Sequence, residues 1–201
     1  MIWSIVLTAF VLVAPIELPD KTMFSTLVLA SRFRPLPVLL GVSTAFAVQA
    51  VIAVAAGSLL SLLPREWVAL GVAVLFAVGA VLLWRAADEP VDGADEDSDT
   101  LPHKDWSAQR IATASFVITF VAEWGDLSQL AMAGLAARYD APVSVFVGSF
   151  AALFMIAALA VFVGNKLVAR LPFHLVRRAA AVLFAGFSIY AAYEAITAFT
   201  V

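Results

Sequence analysis

Glu17-Leu18-Pro19-Asp20-Lys21-Thr22 and Glu123-Trp124-Gly125-Asp126-Leu127-Ser128 each place a Glu and an Asp three residues apart, and the two segments lie 106 residues from one another. On a helix such a pair projects from one face, so two of these helices meeting would bring four carboxylates to one point. Oxygen-rich sites of this kind suit hard divalent cations such as Ca2+, Mg2+ and Mn2+, whereas Zn2+ or Cu2+ would call for His or Cys. The chain has no Cys, and its two His, His103 and His174, fall in or beside expected loops. Disulfides, thiolate ligands and Cys nucleophiles are excluded. Carboxylates held this close cannot all remain ionised without a cation, so protons compete with metal for them. Mutually exclusive occupancy by metal or protons is the minimal requirement of an antiporter. The expected metal ligands are Glu17, Asp20, Glu123 and Asp126, with the metal as cargo; no catalytic residue and no cofactor is expected.

Neighbouring residues would support such a site. Thr22, Ser128 and Gln129 follow the motifs and offer neutral oxygens or interhelical hydrogen bonds. Lys21 would tune the site's charge or pack against the acids. Gln49, deep in a hydrophobic stretch, serves either the site or helix association. Pro15 and Pro19 are expected to break or kink the chain near Glu17 and free carbonyl oxygens, with Gly125 giving the same looseness in the second copy. Trp124 is expected to wall the site.

The elements that must position these acids are membrane spans. The 201 residues are 63% hydrophobic and 13% charged, with a mean hydropathy of +0.99. A soluble domain is roughly 45–50% apolar, so the chain reads as an all-α integral membrane protein. Charged groups inside hydrocarbon cost several kcal/mol unless they face a cavity, a partner or an ion, so four carboxylates at that depth mark an ion pathway. With about 20 apolar residues needed per crossing, six spans are expected, at about 3–30, 37–63, 67–86, 108–136, 142–169 and 174–199. Met1-Ile2-Trp3-Ser4 lacks the positive region of a signal peptide and reads as the start of the first span.

Lys/Arg asymmetry sets the orientation. With the N-terminus outside, Arg32, Arg34, Arg85, Lys104, Arg110, Lys166, Arg170, Arg177 and Arg178 fall on the cytoplasmic side, and only Arg65 and Arg138 outside. Both termini then face out, and the acidic segment 87–107 is a solvated cytoplasmic linker. Trp3, Trp67, Trp84 and Trp106 mark span ends, and Glu194 reaches the outer interface. The partners expected are the lipid bilayer, a divalent ion and protons. No basic patch supports nucleic acid binding, and assembly into a homo-oligomer stays open.

The halves resemble each other beyond the motifs. Gly41 matches Gly148 and Gly57 matches Gly164 at an offset of 107, and Ala73-Val74-Leu75-Phe76-Ala77 recurs as Ala181-Val182-Leu183-Phe184-Ala185 at 108. Three spans per copy is an odd number, so repeats 1–86 and 108–201 would insert with opposite orientation, a plan that puts a transport site at midplane between them. Gly71, Gly79, Gly134, Gly148 and Gly164 are expected at close helix contacts. Besides a purely structural or assembly role, two rival readings remain. One is an exporter of another substrate on a similar plan. The other is an intramembrane aspartyl-type enzyme with Asp20 and Asp126 as the dyad, for which the glutamates would be superfluous.

The two motifs resemble the paired E-x-G-D-[KR]-[ST] signatures of the Golgi-type cation/proton exchanger family, whose members move Mn2+ or Ca2+ against protons. The resemblance covers most of the chain. It implies secondary-active export of Mn2+ or Ca2+ from the cytoplasm across a plasma membrane, with Glu17, Asp20, Glu123 and Asp126 as cation-binding acids. Two positions depart from the signature: Pro19 stands for the first Gly and Leu127 for the second Lys/Arg. The acids are intact, so the departures bear on ion selectivity and proton stoichiometry.

Overall fold

The computed structural model describes residues 1–18, 21–87, 106–168 and 173–200, with the side chains of residues 21, 22, 24, 25, 65, 163–168, 173 and 200 outside the description. Most of the acidic linker therefore lies outside the described residues. These residues form eight helices: α1 (Trp3–Glu17), α2 (Lys21–Arg32), α3 (Pro35–Leu60), α4 (Arg65–Ala86), α5 (Ala108–Ala122), α6 (Leu127–Tyr139), α7 (Pro142–Val168) and α8 (Phe173–Thr200).

Six spans are expected from hydropathy, with a break or kink near Glu17 and looseness at Gly125. Among the described residues four helices, within α3, α4, α7 and α8, are individually long and apolar enough to cross a membrane. The stretches 3–30 and 108–136 are each divided, into α1 with α2 and α5 with α6. At 15 residues, α1 and α5 rise only about 22 Å, against about 30 Å of hydrocarbon. Pro15 does not end α1, which runs on to Glu17. The second division occurs at Gly125, whose φ of +79° is one that residues with a Cβ resist. Beyond the divisions α2 reaches Arg32 and α6 reaches Tyr139, past the expected ends. The chain is an all-helical membrane protein, and Leu7, Leu40, Val51, Leu82, Ile189 and Ile196 belong to its exposed apolar surface.

The packing follows the sequence offset. The most extensive contact joins α4 to α8, followed by α1 on α7 and α3 on α5. Phe76 and Phe184, equivalent residues of the repeated pentapeptide, are both fully buried and meet edge to face with centroids 4.9 Å apart. A Cβ added to Gly41 would collide with the carbonyl oxygen of Ala112, and one added to Gly148 with that of Val6. Gly41 and Gly148 are 107 residues apart and Val6 and Ala112 are 106 apart, so the same glycine-to-carbonyl crossing is built twice. Without a hydrophobic drive between helices in lipid, such backbone approach supplies much of the association. Gly57 meets Ala133 in the same way, Gly79 lies under the Phe184 ring, and Gly134 makes only ordinary contact with Phe76. Gly71 is a correction: nothing lies within 4 Å of where its Cβ would be. Gly164 falls in the part of α7 whose side chains are outside the description.

The helix ends carry polar anchors. Trp3, Trp67 and Trp84 are exposed, while Trp106 stacks on Phe33 and under the Arg110 guanidinium. Arg177 donates to the Ala86 carbonyl at the C-terminus of α4, where cationic groups are favoured. At the other end of α8, half-exposed Glu194 pairs with buried Arg138 at 2.7 Å, and the guanidinium lies over Tyr190.

Gly148→Ala and Gly41→Ala should each destabilise the protein by about 1–3 kcal/mol, the usual overpacking range, because the obstructing atom is backbone. Gly71→Ala should not. Thermal unfolding of the three variants in one detergent checks this; equal melting temperatures would contradict it.

Candidate metal centre

Both helix divisions end at an acid. Glu17 is the last residue of α1, Glu123 is the C-cap of α5, and Asp126 is the N-cap of α6. Glu17 is 1% exposed, Glu123 is 5% exposed and Asp126 is half-buried. One carboxylate oxygen from each lies within 4.8 Å of the others, a spacing at which a single cation reaches all three. Asp20 lies outside the described residues, as do the side chains of Lys21 and Thr22. Residues 106 apart in sequence are thus brought to one point.

The electrostatics favour positive charge. The C-termini of α1 and α5 carry partial negative charge from their terminal carbonyls, and each delivers a buried glutamate to the same place. Asp126 sits at the N-terminus of α6, where a carboxylate is well placed. Its Oδ1 accepts the Gln129 backbone N–H at 2.9 Å, and its Oδ2 accepts the Ser128 hydroxyl at 2.8 Å.

Gln129 straps the second division. Its Nε2 donates to the Glu123 carbonyl at 2.8 Å, and its Oε1 accepts the Gly125 N–H at 3.1 Å. Gln49 on α3 donates to the Phe120 carbonyl at 3.0 Å, so of its two expected roles the structure displays helix attachment. The Thr119 carbonyl receives the Glu123 N–H, and the Val121 carbonyl that of Trp124. The carbonyls of Thr119, Phe120, Val121 and Glu123 each accept a hydrogen bond. Ser128 donates its hydroxyl hydrogen to Asp126, and Gln129 bonds the backbone on either side of the break, so both side chains are held next to the acids. Trp124 is 59% exposed and rests on Phe120, on the outer surface.

The sequence profile of the divalent cation/proton antiporter GDT1 family matches residues 5–90 and 111–199. The chain belongs to this family. A GDT1-like protein of Synechocystis is 30% identical over 91% of this chain and 96% of its own length. A candidate manganese exporter of Vibrio cholerae is 31% identical over 91% of this chain and 88% of its own. GDT1-like protein 3 of Arabidopsis thaliana is 27% identical over 94% and 70% respectively. No solved structure matches the chain. As an antiporter of this family the protein is a transporter and not an enzyme, which removes the aspartyl-dyad reading.

Two polar residues near the acids escape a motif search. Ser115 and Thr119 precede Glu123 by eight and four residues on α5, and both are buried. The signal that finds them is the i, i+4 register of hydroxyls with the acid, an ordinary pattern in any helix until burial is known.

Asp126→Asn should preserve the α6 cap, since Asn caps as well as Asp, while Asp126→Ala should cost about 1 kcal/mol. Gln129→Leu, which leaves a carbonyl and an N–H without their partner, should cost about 1–3 kcal/mol and speed hydrogen exchange at Gly125. Thermal unfolding and mass-resolved exchange measure both; unchanged exchange in Gln129→Leu would remove the strap.

Proposed function

We propose that the protein exports Mn2+, or Ca2+, in exchange for protons through a midplane site of Glu17, Asp20, Glu123 and Asp126 that alternately holds metal or protons. The observation carrying this reading is the convergence of Glu17, Glu123 and Asp126, delivered by two helix ends whose dipoles attract cations. Membership in a divalent cation/proton antiporter family supports it, and the Vibrio relative's name favours Mn2+ as cargo. Hard oxygen donors without Cys or His fit either ion.

In this reading repeats 1–86 and 108–201 are two inverted three-span units. Each opens with a divided span, α1 with α2 and α5 with α6. The duplicated glycine crossings and the Phe76–Phe184 pair support a pseudo-twofold between them. Both termini face outward, segment 87–107 is cytoplasmic, and the membrane is the plasma membrane. Burial of both glutamates means that this conformation shields the site, so cargo exchange requires movement of one repeat against the other. Metal and protons neutralise the same carboxylates in turn, which couples the two fluxes without any contact between them.

In proteoliposomes with an imposed pH gradient, wild-type protein should accumulate Mn2+, and the Glu17→Gln, Glu123→Gln double variant should fall to the level of empty vesicles. Equal uptake by the two proteins would overturn the reading.

A further inference from the structure

We infer that Thr119, with Ser115 one turn beyond it, extends the cation site along the buried face of α5 by supplying neutral oxygens. The inference rests on the proposed transport site and names ligands within it. The Glu123 N–H to Thr119 carbonyl bond of 3.0 Å shows that the turn joining the two residues is helical, so their side chains share a face. Ser115 occupies the same face one turn earlier and abuts Gly41 of α3. Ser115 is 0% and Thr119 1% exposed, and neither hydroxyl oxygen has a hydrogen-bond partner.

Four buried hydroxyls of the described residues lack a partner in this way. Helical Ser and Thr ordinarily satisfy themselves by donating to a carbonyl one turn back. Thr44 does so to Leu40 at 2.7 Å, Ser58 to Val54 at 2.8 Å and Thr197 to Tyr193 at 3.1 Å. A buried hydroxyl left without a partner costs about 1–3 kcal/mol, and here two stand in line with a buried carboxylate. Ser43 and Ser149 are also buried without a partner, but they lie on α3 and α7.

Cation chemistry explains what the α5 hydroxyls wait for. A divalent ion of this class takes six or more oxygens, and three described carboxylates contributing one oxygen each leave places in that shell. Thr119 offers a buried neutral oxygen without a hydrogen-bond partner, one helical turn before Glu123. Ser115, about 6 Å further along the axis by helix rise, would hold the ion or one of its waters as it moves along α5.

The test is Mn2+ titration of the purified full chain, with free Mn2+ read by electron paramagnetic resonance. Thr119→Val should weaken binding about fivefold or more, a loss in proportion to one missing oxygen partner. Thr119→Ser, which keeps the hydroxyl, should bind like wild type, and Ser115→Ala with Thr119→Val should bind more weakly than either alone. Thr44→Val, whose hydroxyl is exposed and already bonded, should change nothing. Wild-type affinity in Ser115→Ala, Thr119→Val would overturn the inference. If Thr119→Val does not purify as a folded protein, Ser115→Ala decides, because Ala is tolerated in any helix and full affinity there overturns the extended site. Loss in Glu17→Gln, Glu123→Gln without loss in the hydroxyl variants would sink this inference alone. Absence of Mn2+ and Ca2+ binding by wild type would sink the transport reading with it.

Discussion

Carboxylates buried inside a protein cannot be left bare, and most of the architecture around Glu17, Glu123 and Asp126 answers that constraint. A continuous helix would present each acid side-on, with its neighbouring backbone already paired along the axis. Dividing the helix instead puts Glu17 and Glu123 at C-termini and Asp126 at an N-terminus. The terminal carbonyls then add to the negative potential at the glutamates, and the first N–H groups of α6 receive Asp126. The cost of the division is terminal backbone groups without helical partners, which other groups must satisfy. Gln129 and Gln49 meet that need at the second division, one from within α6 and one from across on α3.

Bringing the divided helices together requires their neighbours to approach closely. Gly41 and Gly148 let α3 and α7 seat directly on the backbones of α5 and α1. In lipid this contact replaces the hydrophobic drive that would join helices in water. The paired Phe76 and Phe184 rings close the α4–α8 contact at equivalent positions. The first helix of each divided pair, α1 and α5, is thus seated by an equivalent contact at a matching sequence offset.

Much of this was legible in the residues themselves. The four long apolar helices followed from apolar length, and the acids stood out because charge is rare in such apolar stretches. Gly41, Gly148, Phe76 and Phe184 could be matched by offset before their contacts were known. The departures have physical causes. Pro15 looked like a helix breaker, but α1 continues through it and divides only after Glu17. Gly71 resembled Gly148 in sequence, yet it has no neighbour to accommodate; glycine records that close approach is permitted, not that it occurs. Ser128 and Gln129 were legible as oxygen donors, whereas their bonds to Asp126 and to the loop backbone were not.

By itself the sequence determined that the chain lives in a membrane, that its acids recur in two related halves, and that hard-ion chemistry suits them. Each of these is a local property, since hydropathy, charge and spacing are carried residue by residue. Only the tertiary structure decided which oxygens meet and which are already spent. Glu17 joins Glu123 through helices with 106 residues between them, Gln49 reaches Phe120 across 71, and Ser115 and Thr119 stay unpaired because of what surrounds α5. Hydrogen bonding is saturable and short-ranged, so a polar atom's availability depends on neighbours that distant parts of the chain supply.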